Sequence, residues 1–333
     1  MERAQKLMEK VWILERIHAL YQAREVLLEM GPNKPYVPNE TIQELNKAYD
    51  NLEDAFMIAA EAEAKCLLQV GDFEQAAIAM HMKSFIGWIG GKSALRNTIM
   101  EQFPEKFNRY IEVFGGAGWV LFAKDRHAQL EVYNDKNGEL VNLFRCAKYH
   151  APELQRLLEL ELNARETFQE YLYNNRNNPF QTDLQRAVQF LLLIKMSYGC
   201  SVDSYGGSSK SIQNIANYLP KVQQRLDKVV IEHKDFADLI KQYDREDALF
   251  YLDPPYYGTE KEYAVVFPKQ DHERLFECLK SIKGKFVLSY NNCEYIRDLY
   301  KQYSIIEVSR HSNLLGRYPE KEQEYRELII KNF

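Results

Sequence analysis

The stretch Leu249-Phe-Tyr-Leu-Asp-Pro-Pro-Tyr256 joins an apolar strand to a carboxylate, two prolines and an aromatic ring. The prolines stop the strand, because proline has no N–H to give to a ladder. In a parallel sheet the carboxyl ends of strands are where ligands bind, so Asp253 is expected at a binding edge beside a rigid turn. Such a set suits an exocyclic amine on a planar ring. The Asp253 carboxylate and the Pro254 carbonyl would each accept one N–H, while Tyr256 stacks on the ring face and Pro255 stiffens the turn. An aspartate that only caps a loop is the plainer alternative.

Three more clusters precede it. Ile111-Glu-Val-Phe-Gly-Gly-Ala-Gly-Trp119 reads as a strand, a glycine-rich turn and a helix. Glycines there allow positive φ and the close approach of a nucleoside, although packing would also explain them. The spacing is not G-x-G-x-x-G, which counts against a dinucleotide. Asp135 ends the next strand, in Glu131-Val-Tyr-Asn-Asp-Lys-Asn137. An acid at that place accepts from ribose hydroxyls, or else it shares with Asn134 and Asn137 the work of capping the following helix. Upstream, Trp88-Ile-Gly-Gly-Lys92 offers a stacking ring, a tight turn at Gly90 and Gly91, and a cation. A phosphate-binding P-loop fits poorly, since Ile86 stands where its first glycine belongs.

A sheet must hold these residues. Beyond residue 108 short apolar strands alternate with helices, the pattern of a parallel α/β sheet. The spacing predicts strands over 110–114, 130–134, 229–233, 248–252, 285–290, 304–308 and 324–331. It predicts helices over 92–102, 118–127, 137–148, 271–282 and 292–301. Residues 150–225 break the alternation with helical patterns over 152–173 and 183–197, a Gly/Ser-rich loop and a short helix, and read as an insertion. Residues 1–82 read as a helical arm, with stripes such as Leu7, Leu14, Ile17, Tyr21 and Leu28. That arm either packs on its own domain or contacts a second copy or another partner.

Composition sets the outer bounds. With 46% hydrophobic residues and a net charge of −5, the chain is not of the disordered class. No apolar run is long enough for a membrane helix, and no apolar block follows the first charges as in a secretory leader. The cysteines at 66, 146, 200, 278 and 293 form no C-x-x-C pair, so free thiols in a reducing cytosol are expected. The first 80 residues carry 8 Lys+Arg against 14 Asp+Glu, and the rest carry 35 against 34. The acidic total therefore sits mostly in the arm and leaves a polyanionic partner open.

Taken in order, these motifs resemble the Dam-type, D12-class family of DNA adenine-N6 methyltransferases, over roughly residues 84–333. The resemblance implies an α/β, Rossmann-like class I methyltransferase: a seven-stranded, mostly parallel sheet with an antiparallel last strand, an inserted helical target-recognition region and the N-terminal arm. The methyltransferase domain would span 83–149 and 226–333, with recognition in 150–225. The implied cofactor is S-adenosyl-L-methionine, held by Trp88, Gly91, Lys92, Glu112, Phe114, Gly115, Gly116, Ala117, Gly118, Asp135, Asp235, Phe236 and Asp253. Catalysis falls to Asp253, Pro254, Pro255 and Tyr256, without a metal, and the partner is double-stranded DNA whose target base is flipped out. Candidate DNA contacts are Lys195, Tyr198, Ser204, Tyr205, Lys210 and Lys221, and, between the last two strands, Arg310, Asn313 and Arg317. Ordinary surface loops are the alternative for both segments. The expected compartment is the cytoplasm of a bacterium or of a phage host. Other readings are methylation of RNA adenine or a protein amide, and a non-catalytic DNA-binding protein of the same fold. An NAD dehydrogenase lacks its glycine fingerprint.

Overall fold

The computed structural model describes residues 82–177, 181–207, 211–259, 267–311 and 324–333. The expected arm over 1–82 lies outside them apart from Met82. The described residues form one compact unit. Its strands are β1 (Arg109–Glu112), β2 (Leu130–Asn134), β3 (Val229–Glu232), β4 (Ala248–Leu252), β5 (Lys285–Asn291), β6 (Ser304–His311) and β7 (Glu324–Lys331). They make one seven-stranded sheet in the order β3-β2-β1-β4-β5-β7-β6. The pairs among the first five strands are parallel, and β7 runs antiparallel to both neighbours. The fold is the expected Rossmann-like α/β sheet.

Alternation along each strand explains the layering. In β4, Leu249 and Tyr251 enter one apolar cluster, whereas Ala248, Phe250 and Leu252 enter the other. Successive side chains of a strand point to opposite faces, and here both faces are covered, so all five residues are buried. The helices are α1 (Arg96–Glu101), α2 (Gly138–Tyr149), α3 (Ala151–Leu158), α4 (Arg165–Asn177), α5 (Asp183–Met196), α6 (Ile212–Leu226), α7 (Phe236–Tyr243), α8 (Lys269–Lys280) and α9 (Glu294–Leu299). Apolar residues of α2 to α6 share the first cluster, and those of α7 to α9 share the second. The inserted helices thus continue the core of one sheet face. None of the described helices is long and apolar enough to cross a membrane.

Sheet order creates the cleft. The chain leaves β1 toward β2 and β3 on one side and toward β4 and β5 on the other. The carboxyl ends of β1 and β4 therefore lie side by side at a topological switch point, with Glu112 level with Tyr251.

Four elements depart from expectation. The helix expected over 118–127 is a single 3-10 turn, Leu121–Ala123. Its carbonyls are claimed by side chains: the distant Arg225 donates to Leu121 O (2.7 Å) and Lys124 O (2.7 Å), and His127 Nε2 of the same segment lies 2.8 Å from Val120 O. The single helix expected over 152–173 is two, α3 and α4. The segment after the loop is a 15-residue helix, α6, longer than expected. Helix α7 went unforeseen, although Asp235 caps it by accepting from Ala237 N at 3.0 Å.

Candidate active site

The glycine turn is built by close backbone approach. Gly115 N donates to Asn134 O at 2.7 Å, and a Cβ on Gly115 would stand 2.2 Å from the Tyr133 ring. Gly116 has φ +50, a region that suits glycine. Asp135 secures the turn from the next strand: its Oδ2 accepts from Gly116 N (2.9 Å) and its Oδ1 from Asn137 N (2.7 Å). Asn137 is the residue that caps α2, accepting from Glu139 N and Leu140 N. Of the alternatives for this turn, capping falls to Asn137 and leaves Asp135 on the cleft wall. Burial raises the Asp135 carboxyl above its ordinary value, against backbone N–H groups that favour the ionised form. Asn134 is buried and braces the floor, donating to Val113 O (2.9 Å) and accepting from Lys234 N (2.8 Å).

One cleft brings most of the expected residues together. Its walls include Trp88, Gly91, Lys92, Glu112, Phe114, Gly115, Gly116, Ala117, Asp135, Asp235, Phe236, Asp253 and Pro255. Gly118 is not on the wall; its φ of +68 closes the turn onto Phe122. Pro254 and Tyr256 are not on it either. Pro254 is buried, and Tyr256 is half-buried behind Lys92, whose ammonium lies 4.8 Å from the ring centroid.

At the end of β4 the charges are arranged in a chain. Lys92 Nζ lies 2.8 Å from Asp253 Oδ2 and 3.9 Å from Glu327 Oε2, and it donates to Gly90 O at 2.7 Å. The Tyr256 hydroxyl donates to Glu327 Oε2 at 2.5 Å. The side chains of Lys92 and Glu327 are 4% and 3% exposed, whereas Asp253 keeps 17% and so remains open to the cleft. Asp253 is the joint between that cleft and the tyrosine behind it. Strand β7 carries Glu327 opposite Asn291 of β5, and Asn291 Nδ2 holds the turn by donating to Tyr257 O at 2.9 Å.

Glu112 presents a further carboxyl to the same cleft. It is buried and accepts from the Tyr110 hydroxyl at 2.7 Å. Burial, with help from the nearby Asp253 charge, raises it to about 8, the Tyr110 bond working the other way. At neutral pH Glu112 is thus mostly neutral, while Asp253 is paired with an ammonium.

A family model described as D12 class N6 adenine-specific DNA methyltransferase matches residues 88–314. The chain belongs to that family. Among its relatives, the type II methyltransferase M1.LlaDCHI of Lactococcus lactis subsp. cremoris is 28% identical over 286 residues, spanning 76% of this chain and 96% of the relative. The type II methyltransferase M.CviBI of Paramecium bursaria Chlorella virus NC1A is 24% identical, spanning 76% of this chain and 100% of the relative. The DNA adenine methylase of Haemophilus influenzae is 24% identical, spanning 74% of this chain and 92% of the relative. This chain is accordingly an adenine-specific DNA methyltransferase, and Asp253 stands at the carboxyl end of its central strand pair.

The methyltransferase's candidate DNA contacts fare unevenly. Tyr198 is 47% exposed, and Ser204 is exposed in the same loop, where Tyr198 N donates to Ser204 O at 2.8 Å. Lys195 is half-buried near the end of α5 and Lys221 is exposed on α6. Tyr205 is instead engaged internally: its ring meets Phe168 and Arg165, and its hydroxyl donates to Asn163 Oδ1 at 3.2 Å. Both its ring and its hydroxyl are therefore in use within the described residues. Arg310 belongs to β6, but its side chain lies outside the described residues, as do Lys210, Asn313 and Arg317. Sequence reasoning missed Glu327, Asn291 and Arg274.

Proposed function

We propose that this enzyme moves the methyl group of S-adenosylmethionine onto N6 of an adenine turned out of duplex DNA. The observation that carries the reading is the Lys92–Asp253 pair opening into the cleft that holds the glycine turn. The cleft suits the donor. Gly115 lets the turn close against the Tyr133 ring, and Asp135 Oδ2 keeps an acceptor position for a ribose hydroxyl. Phe114, Phe236 and Phe267, with each pair of rings 5.7 Å apart, offer an apolar seat for a purine. When bound, the donor supplies an electrophilic methyl group.

The protein's part is electrostatic. The N6 lone pair is delocalised into the purine, so the amine is a weak nucleophile until its hydrogens are gripped. Asp253 and the Pro254 carbonyl would accept those hydrogens and stabilise positive charge growing on nitrogen. Lys92 anchors Asp253 from one side, so the carboxylate meets the base without reorganising. Tyr256, tethered by Glu327, would cover the base, whose extrusion costs roughly a few kcal/mol. Tyr198 and Ser204, with Lys195 and Lys221, are the described candidates for meeting the duplex. The arm over 1–82 would add contacts to a second copy or a partner, and reduced thiols fit the cytoplasm of a bacterium or a phage host.

The test is transfer of labelled methyl from S-adenosylmethionine to unmethylated duplex DNA, to RNA and to protein, with mapping of N6-methyladenine. The reading expects label in DNA alone, at N6 of adenine within one short sequence. Label in RNA or protein, or none with any acceptor, would overturn it.

A further inference from the structure

Arg274, on α8, stands 39 residues from Asp235 in sequence yet locks it in place. Its Nη2 lies 2.8 Å from Asp235 Oδ2 and its Nη1 lies 3.1 Å from Oδ1, a bidentate grip. Its guanidinium carbon lies 4.2 Å from the centroid of the Phe236 ring, and its Nε lies 3.0 Å from Asp271 Oδ1. Arg274, Asp235 and Phe236 all face the cleft, at the end formed by the three phenylalanines.

Counting acceptor positions shows what the grip accomplishes. Asp235 Oδ1 already takes two N–H groups, from Ala237 and from Arg274. Oδ2 takes one, from Arg274. A carboxylate oxygen has two lone pairs, so Oδ2 keeps a single acceptor position. Without the guanidinium, Asp235 could rotate about its side-chain torsions and present either oxygen; with it, one oxygen faces a ligand in one direction. A fixed acceptor beside an aromatic seat favours a purine that offers an amino N–H and disfavours one that offers a carbonyl there.

We infer that Arg274 is a positioning residue that sets donor selectivity: by fixing Asp235 it makes the cleft choose a 6-amino purine over a 6-oxo purine. The inference rests on the donor assigned under Proposed function. It concerns binding, so it can be read apart from turnover.

The experiment measures, by titration calorimetry on the full chain, the affinities of S-adenosylhomocysteine and S-inosylhomocysteine. Wild type is compared with Arg274→Met, which keeps apolar cover over Phe236 but has no N–H, and with Arg274→Lys, which keeps the charge but not the fork. The expected result is that wild type prefers the adenosyl ligand. Arg274→Met should bind that ligand about tenfold more weakly, the scale of one charge-assisted hydrogen bond, while S-inosylhomocysteine binding stays within about twofold. Arg274→Lys should fall between them, and kcat at saturating donor should hardly change. Equal weakening of both ligands, or unchanged preference in Arg274→Met, would overturn the inference and leave the donor assignment standing. Failure of wild type to bind S-adenosylhomocysteine at all would overturn the donor assignment itself.

Discussion

Two buried ion pairs in this molecule use the same chemistry to opposite ends. Arg225 and Glu131 are 2% and 3% exposed, and the guanidinium makes two bonds to the carboxylate plus bonds to the carbonyls of Lys124 and Leu121. All three nitrogens of that guanidinium are engaged, and the pair fastens α6 to the segment after the glycine turn. Lys92 Nζ lies 2.8 Å from Asp253 Oδ2, and Asp253 lines the cleft. A planar fork closed on all sides serves structure, whereas a compact ammonium beside a carboxylate on the cleft wall places that carboxylate where a ligand can meet it. The difference lies in what surrounds each pair, since the opposite charges alone are common to both.

The contrast can be broken from the structural side first. Glu131→Gln leaves a buried guanidinium short of its counter-charge, and it should cost about 3–5 kcal/mol of unfolding free energy in urea titrations. A loss below 1 kcal/mol would mean that the backbone carbonyls hold Arg225 unaided. Lys92→Met should act the other way, lowering kcat by about 100-fold, on the scale of losing one preorganised electrostatic group. Its thermal midpoint should fall less than that of Glu131→Gln. Tyr256→Phe removes the bond to Glu327 but keeps the ring, so a smaller loss of about tenfold is expected in kcat/KM for DNA.

Glu112 sharpens the comparison through pH. Its folded value is raised to about 8 from an ordinary 4.5, chiefly by burial. A carboxyl raised in the folded state contributes stability that is fully present below the unfolded value and lost as pH rises through the folded one. Wild type should therefore lose stability between about pH 4.5 and 8, and Glu112→Gln should flatten that slope. Urea midpoints at pH 5 and pH 8 decide it; parallel slopes for the two proteins would remove Glu112 from the account.

Local patterns were legible, and long-range partnerships were not. Each strand was readable within about three residues at either end because its apolar run is bounded by turn residues. The glycine turn and Asp253-Pro-Pro-Tyr256 announce themselves for the same reason: a few adjacent residues impose both backbone shape and chemistry. The helix expected over 118–127 failed because Arg225, about a hundred residues away, captures its carbonyls. Glu327 and Arg274 were invisible as site residues because each acts on a partner that only folding brings near, 71 and 39 residues off. Tyr205 stands among the candidate DNA contacts by type and loop context, and its contacts with Phe168, Arg165 and Asn163 were equally out of sight in the sequence.

If Asp253, set by Lys92, grips the amino group that receives the methyl, its carboxylate carries the rate. Single-turnover methylation of duplex DNA by Asp253→Asn, measured beside its affinity for S-adenosylhomocysteine, tests it most directly. The expected rate is lower by about 1,000-fold, with affinity changed by no more than a few-fold. A variant that methylates adenine at close to the wild-type rate would contradict it.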